Sequence, residues 1–212
     1  MKIKKLGHCC LVIEINGKRV MTDPGSYTIS EQEMEKNIDI IIISHEHRDH
    51  LHTDSLKNIL VSNQNAVVIT NSGVGKILDE AGIKYKKLED GQSEEFMGVS
   101  LEAHGDKHAE IYEEFGQVQN TGYFIGKNLF YPGDSFTNPG KKVEILALPV
   151  LAPWLKIKDS IDYAISLAPR VCFPVHDWNI KIPGIVHRTP SVVLIKHSIE
   201  FKVLEIGKEE NL

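Results

Sequence analysis

Apolar residues in this chain fall into short, largely β-branched runs parted by polar turns, and a helical period surfaces between some of them. Residues 10–15 and 18–22 flank Asn16-Gly17, a dipeptide that accepts the positive φ angles of a tight hairpin, so two antiparallel strands are predicted. Residues 38–43 read Ile-Asp-Ile-Ile-Ile-Ile, a run whose length and branching suit a strand covered on both faces. Residues 54–61 and 75–81 carry helical spacing, with Thr53 as N-cap of the first and Gly82 as C-cap of the second, and 67–70 reads as a strand between them. Further strands are predicted over 84–88, 92–97, 99–103, 122–125, 129–131, 143–148 and 171–175, with Gly126-Lys127-Asn128 as a turn. Residues 159–167 form an amphipathic helical pattern. Thr189-Pro190 offers an N-cap followed by proline at the first helical position, which predicts a helix to about Lys196 and then a strand over 199–206. Two β-rich halves emerge, each with helices and in a similar rough order.

Directly behind the isoleucine run comes Ser44, then His45-Glu46-His47-Arg48-Asp49-His50. Three imidazoles and an aspartate so close together would be hard to satisfy in a dry core, so the strand should break into a loop that turns them toward one point. Neutral imidazole and carboxylate suit zinc, manganese or iron, and the lack of a thiolate in the cluster argues against a closed structural zinc knuckle. The bland reading is a polar, histidine-rich surface loop, which this order of residues disfavours. The His-Glu-x-x-His motif of zinc proteases does not fit, because it needs a histidine where Asp49 stands.

A chain of 212 residues can bury one sizeable core, and no Pro/Gly/Ser-rich stretch divides it, so a single domain over 1–212 is expected. The net charge of −5, with Lys and Arg scattered along the chain, argues against extended nucleic-acid contact but leaves room for a compact RNA. Cys9, Cys10 and Cys172 are an odd number, as expected of reduced thiols. Residues 1–8 lack the apolar stretch of a signal peptide and nothing approaches a membrane span, so the expectation is a soluble, cytoplasmic protein without a membrane partner.

One ion needs about three protein ligands and an open position, whereas a pair about 3.5–4 Å apart needs more groups and a bridging carboxylate. The cluster at 45–50 is too rich for one ion, so further ligands are sought at strand ends. Asp134 follows the 129–131 strand through Pro132-Gly133, although Gly-Asp turns are common. His176 ends the 171–175 strand, with Asp177 beside it. His104 and His108 offer two imidazoles in a third region, where one is needed.

The order His45-x-His47-x-Asp49-His50, a lone histidine, Gly133-Asp134 and His176 resembles that of the metallo-β-lactamase-fold hydrolases. The resemblance covers most of the chain. It extends to Gly7-His8-Cys9-Cys10-Leu11-Val12-Ile13-Glu14, Thr22-Asp23-Pro24, Asn120-Thr121-Gly122-Tyr123 and Tyr131-Pro132-Gly133-Asp134-Ser135, segments similar to the small bacterial branch with the ascorbate-phosphate lactonase-like proteins. It implies an α/β fold, a four-layer αββα sandwich with the metal site at the edge between the two sheets. Carried over residue by residue, it implies that His45, His47 and His108 hold one ion, that Asp49, His50 and His176 hold the other, and that Asp134 bridges them. His108 is preferred to His104 because it enters a loop after the strand, as that branch places its ligand. Asp23 fits the family's buried carboxylate behind the metal loop, where it would orient an imidazole; its plainer role is a turn before Pro24. His8 has a similar place near the site in that branch, against the simpler reading of packed polar filler. His52, His187 and His197 receive no role.

Two divalent ions sharing a water would lower its pKa toward neutrality, so hydrolysis by a metal-bound hydroxide is expected. Asp49 would orient that nucleophile or accept its proton while remaining a ligand. Zinc is the first expectation for both ions, with manganese or iron as alternatives. His47 stands where the family's oxygen-reducing di-iron members carry glutamate, which points away from redox chemistry. Trp154, between the prolines and the next helix, would wall the cleft or simply pack between helices. The leading expectation is therefore a dinuclear metal-dependent hydrolase of a small ester, lactone or phosphoester. A metal-dependent nuclease acting on RNA or DNA, and a non-catalytic metal or ligand sensor, are the alternatives; the fold alone names no substrate.

Overall fold

A computed structural model describes residues 1–177 and 184–212. The chain builds most of one sheet before starting the next. Strands β1 (Lys2–Gly7), β2 (Cys10–Ile15), β3 (Lys18–Thr22), β4 (Ile40–Ile42), β5 (Val67–Thr70) and β6 (Lys86–Lys87) lie side by side in the first. The second holds β7 (Ser93–Phe96), β8 (Val99–His104), β9 (Gly122–Ile125), β10 (Leu129–Tyr131), β11 (Ile145–Pro149), β12 (Val171–Val175) and β13 (Glu200–Phe201) in sequence order. A last strand, β14 (Glu209–Asn211), returns to pair with β1. In each sheet three antiparallel pairings are followed by three parallel ones, so the two halves share a plan as well as an order of elements.

Alternation along the strands decides the layers. Leu11, Ile13, Ile40 and Ile42 point to the other sheet, where Leu101, Tyr123, Ile125 and Phe173 meet them. Cys10, Val12, Ile41 and Ile43 point the opposite way, onto α2 (Thr53–Ser62) and α3 (Ser72–Glu80) through Leu56, Ile59, Val74 and Leu78. Across the molecule, Phe124, Phe130, Leu146 and Cys172 pack against α4 (Ile157–Leu167) and α5 (Ile185–Leu194). The result is helix, sheet, sheet, helix. Ile40 to Ile43 are all fully buried, two toward each face, as the unbroken apolar run predicts; full burial of each such side chain stabilises by about 1.5–3 kcal/mol. The three cysteines are free and buried. No described helix is long and apolar enough to cross a membrane.

Several boundaries differ from the sequence expectation. His52, not Thr53, caps α2: its ring accepts a hydrogen bond from the Ser55 amide at 3.2 Å. The helix expected to open at Thr189-Pro190 begins at Ile185, and Pro190 lies inside it. Val186, Pro190 and Leu194 share one buried stripe, and that packing outweighs the backbone bond a mid-helix proline forfeits. The expected 199–206 strand is only β13. β1 and β14 have no clear sequence signal, because Lys2, Lys4, Lys5, Glu209 and Glu210 obscure any apolar alternation, and short α1 (Ile29–Glu33) has none either.

Strands β1, β3 and β4 run in one direction within the first sheet, and β8, β10 and β12 do so within the second. Their C-terminal ends form two rims that meet. The Thr121 amide donates to Ser44 O at 3.0 Å, and the His176 amide donates to His8 O at 3.2 Å. Loops leaving this shared edge carry His8, Asp23, the 45–50 cluster, His108, Asp134 and His176, the usual place for a site in a parallel sheet, while His104 ends β8 itself.

Candidate metal centre

The break after β4 has a visible cause. The Ser44 amide and hydroxyl both donate to Asp23, at 2.7 and 2.5 Å, which replaces the ladder bonds a continuing strand would need. The chain then turns. His50 N and Leu51 N both donate to His47 O, closing a turn that faces His45, His47, Asp49 and His50 inward while Arg48 is exposed. Gly25 lies so close beneath this turn that a Cβ there would sit 1.8 Å from Asp49 O, so only glycine fits.

Two groups of side chains gather at the rim. His45, His47 and His108 bring their ring centroids within 4.6–4.9 Å of one another. His8, Asp49, His50 and His176 form the second group, with their ligand-type atoms all within 4.8 Å of each other. Asp134 stands between. Its Oδ1 is 3.2 Å from His50 Nε2, while its Oδ2 is 3.1 Å from His176 Nε2 and 3.4 Å from His108 Nε2. All seven ligands named from the sequence therefore converge. His104 does not join them: its ring packs edge-on against Phe124 and Phe130, and its Nε2 lies 3.6 Å from Glu102.

Divalent cations fit this donor set. The outer ring nitrogens are already engaged: His50 Nδ1 with Asp23 at 2.6 Å, His45 Nδ1 with Ser44 Oγ at 3.0 Å, His108 Nδ1 with Ala109 O, and His176 Nδ1 with Leu151 O. Engaged outer nitrogens of this kind fix the tautomer and leave an Nε2 lone pair facing the centre. There His50 Nε2, His108 Nε2 and Asp134 Oδ1 are buried without a hydrogen-bond partner, a costly arrangement unless a ligand satisfies them.

Charge points the same way. Burial opposes ionisation of Asp134, yet His50 and His176 outweigh it and hold the carboxyl well below its usual range. For Asp49 burial is likewise overcome by hydrogen bonds from His176 and His8. Burial alone would depress His176, but Asp134 pushes it up to about 11. Burial wins at His45, with help from His50, and that ring is held well below its usual range. Two anionic carboxylates thus draw positive charge into a crowd of imidazoles, a demand that cations meet in place of protons.

Two further residues support the centre. His8 is no filler: 3% exposed and held at a positive φ of 46°, it donates to Asp49 Oδ2 at 2.9 Å and packs on His176 at 4.1 Å between centroids. Burial lowers its pKa to about 4. Tyr131 crosses from the second sheet to donate to Asp23 at 2.5 Å. For His8 the Gly7-His8 segment of the resemblance is the one signal, and for Tyr131 no local pattern marks the role. Trp154 does face the cleft, and its indole N–H donates to Asp134 Oδ2 at 3.0 Å. Beneath the centre, buried Lys5 donates to Pro174 O and Asp177, and His187 donates to the other oxygen of Asp177 at 2.8 Å.

The chain is similar to known proteins over most of its length. A family model described as a β-lactamase superfamily domain matches residues 2–176. A UPF0173 metal-dependent hydrolase of Thermoplasma volcanium is 30% identical over 189 residues, covering 83% of each chain. The protein Rv0786c of Mycobacterium tuberculosis is 29% identical over 181 residues, covering 83% of this chain and 84% of its own. Among solved structures, Igni18, a metallo hydrolase of Ignicoccus hospitalis, superposes with a TM-score of 0.76 at 18% identity over 99% of this chain and 97% of that one. With a family match over most of its length and two helix-covered sheets meeting at a histidine and aspartate rim, this chain belongs to the β-lactamase superfamily and has the metallo-β-lactamase fold.

Proposed function

We propose that this protein is a metal-dependent hydrolase that works with two divalent cations on a small ester, lactone or phosphoester. The position of Asp134 carries the reading, because one carboxylate reaches His108 of the first group and both His50 and His176 of the second. His45, His47 and His108 would hold one cation and Asp49, His50 and His176 the other, with Asp134 shared. The donor set suits zinc first, and manganese or iron as alternatives. Such a pair, when bound, lowers the pKa of a shared water and polarises the oxygen of the scissile group.

The chain's own residues do the rest. Asp49, kept ionised and held by His8 at 2.9 Å, would orient the attacking water by accepting a hydrogen bond from it, and its depressed pKa makes it a weak proton acceptor until a cation changes its surroundings. Asp23 and Ser44 lock the orientations of His50 and His45. A cavity of about 630 Å³ opens over the group, a size that suits a small molecule. Metal analysis of protein purified without chelators, run beside a panel of lactones, carboxylic esters and phosphodiesters, tests the proposal. Two equivalents of metal with turnover of at least one class is expected; no metal and no turnover would end it.

A further inference from the structure

The cavity walls are unlike its floor. Tyr27, Ile111, Phe115, Leu151, Pro153 and Trp154 come from three separate loops and line the one cavity. Tyr27 and Leu151 are each 39% exposed and Phe115 is 70% exposed. Single exposed apolar side chains are ordinary, but several gathered around one concave opening mark a surface that something apolar covers.

Charge on the walls is sparse. Arg48 is the one Lys or Arg lining the cavity among the described residues. It stands exposed between His47 and Asp49, and the two carboxylates that line the cavity are engaged by others: Asp49 by His8 and His176, Asp134 Oδ2 by His176 and Trp154. Its guanidinium has no acidic side-chain partner among the described residues. A nucleic acid, with a phosphate at every step, would meet a single cation among the described residues of these walls, where backbone recognition takes several. A phosphodiester would carry its charge at the reacting group and leave Arg48 without a separate anion to meet.

We propose that the cavity takes a small carboxylic ester or lactone with an apolar, aryl-sized body and one anionic group, the body lying on Tyr27, Phe115 and Trp154 and the anion reaching Arg48. This rests on the hydrolase reading above and names its substrate class. In the reaction the water oxygen bonds to the acyl carbon and the acyl C–O bond breaks. The alcohol leaves with one water proton, and the other is released from the new carboxylic acid.

The test compares kcat/KM of the metal-loaded protein for para-nitrophenyl butyrate and for the para-nitrophenyl monoester of glutarate, which adds one carboxylate. The anionic ester should be preferred roughly fivefold, the scale of a partly exposed ion pair. Arg48→Gln should bring that ratio close to one, and Arg48→Lys should keep part of it. Equal rates in the unaltered protein, an unchanged ratio in Arg48→Gln, or faster turnover of bis(para-nitrophenyl) phosphate than of either ester would overturn the substrate class and leave the hydrolase standing. Calorimetric binding of phenylbutyrate separates the two ideas from the other side. Phe115→Ala should weaken phenylbutyrate more than butyrate, and Arg48→Gln should weaken both. If that pattern holds while a metal-replete protein hydrolyses no carboxylic ester, lactone or phosphoester, the ligand chemistry survives and the hydrolase reading falls; if phenylbutyrate binds no better than butyrate, the apolar subsite is refuted.

Discussion

Asp23 Oδ2 lies 2.6 Å from His50 Nδ1, and neither side chain has any exposure. The same carboxylate collects the Ser44 amide, the Ser44 hydroxyl and the Tyr131 hydroxyl, so it couples the end of β4, the ring of His50 and the opposite sheet. Asp23→Asn keeps the shape and tolerates the positive φ of 38° at this position, but it removes the charge that anchors the imidazole. Metal affinity should fall about 10–100-fold, the usual cost of losing such a partner, while the circular dichroism spectrum stays folded. Chelator competition measures the first; unchanged affinity would demote Asp23 to a turn residue.

His108 and His104 give opposite forecasts. His108→Ala should reduce metal stoichiometry, because its Nε2 faces Asp134 at 3.4 Å. His104→Ala should leave stoichiometry intact and cost about 1 kcal/mol, since that ring packs on Phe124 and Phe130 and has one charged neighbour, the partly exposed Glu102 at 3.6 Å. Metal counting on both variants, with urea unfolding as control, decides between them.

Trp154 offers an optical readout. Its indole hydrogen bond to Asp134 would be lost in Trp154→Phe while the aromatic wall remains. A hydrogen bond to a charged group is worth about 1.5–3 kcal/mol, so metal binding should weaken by roughly tenfold or more. Metal addition should also change the tryptophan emission of the unaltered protein by more than that of the variant, in which Trp178 is the sole indole. Equal responses would show that Trp154 does not report on Asp134.

Far from the centre, Glu35 sits between Lys4 Nζ and Arg19 Nη2, each at 2.7 Å. Burial pushes its carboxyl up, but hydrogen bonds from Lys4 and Arg19 prevail and hold it below its ordinary 4.5. A depressed carboxylate stabilises the fold fully above its ordinary pKa, and that stabilisation fades as pH falls through the folded value. Glu35→Gln should therefore cost on the order of 1 kcal/mol near neutral pH, and the gap should close on acidification below about pH 4. Urea unfolding of both proteins across that range measures it; a gap that widens in acid would contradict the sign.

The legible part of this molecule was local. Asn16-Gly17 declares a hairpin because few other dipeptides accept its backbone angles, and the Ile40 to Ile43 run declares a strand buried on both faces. The 45–50 cluster is readable because so many ligand-type side chains in one short stretch have few other uses. Where local signals conflicted with packing, packing won: Pro190 reads as a helix start but lies mid-helix, since its place on the buried stripe of α5 outweighs one lost backbone bond.

Residue types and their order along the chain thus determined the hairpin, the strand beneath the metal loop and the chemistry on offer, since each depends on neighbours in sequence. Tertiary structure alone decided that Asp134 would reach both histidine groups, that His8 would lean on Asp49, and that Tyr131 would cross from one sheet to steady Asp23 in the other. Those relationships come from two sheets meeting at their C-terminal rims. Ångström-scale proximity between residues 41 to 108 positions apart, as in His8–Asp49 and Tyr131–Asp23, is a property of how layers pack, and no local pattern encodes it.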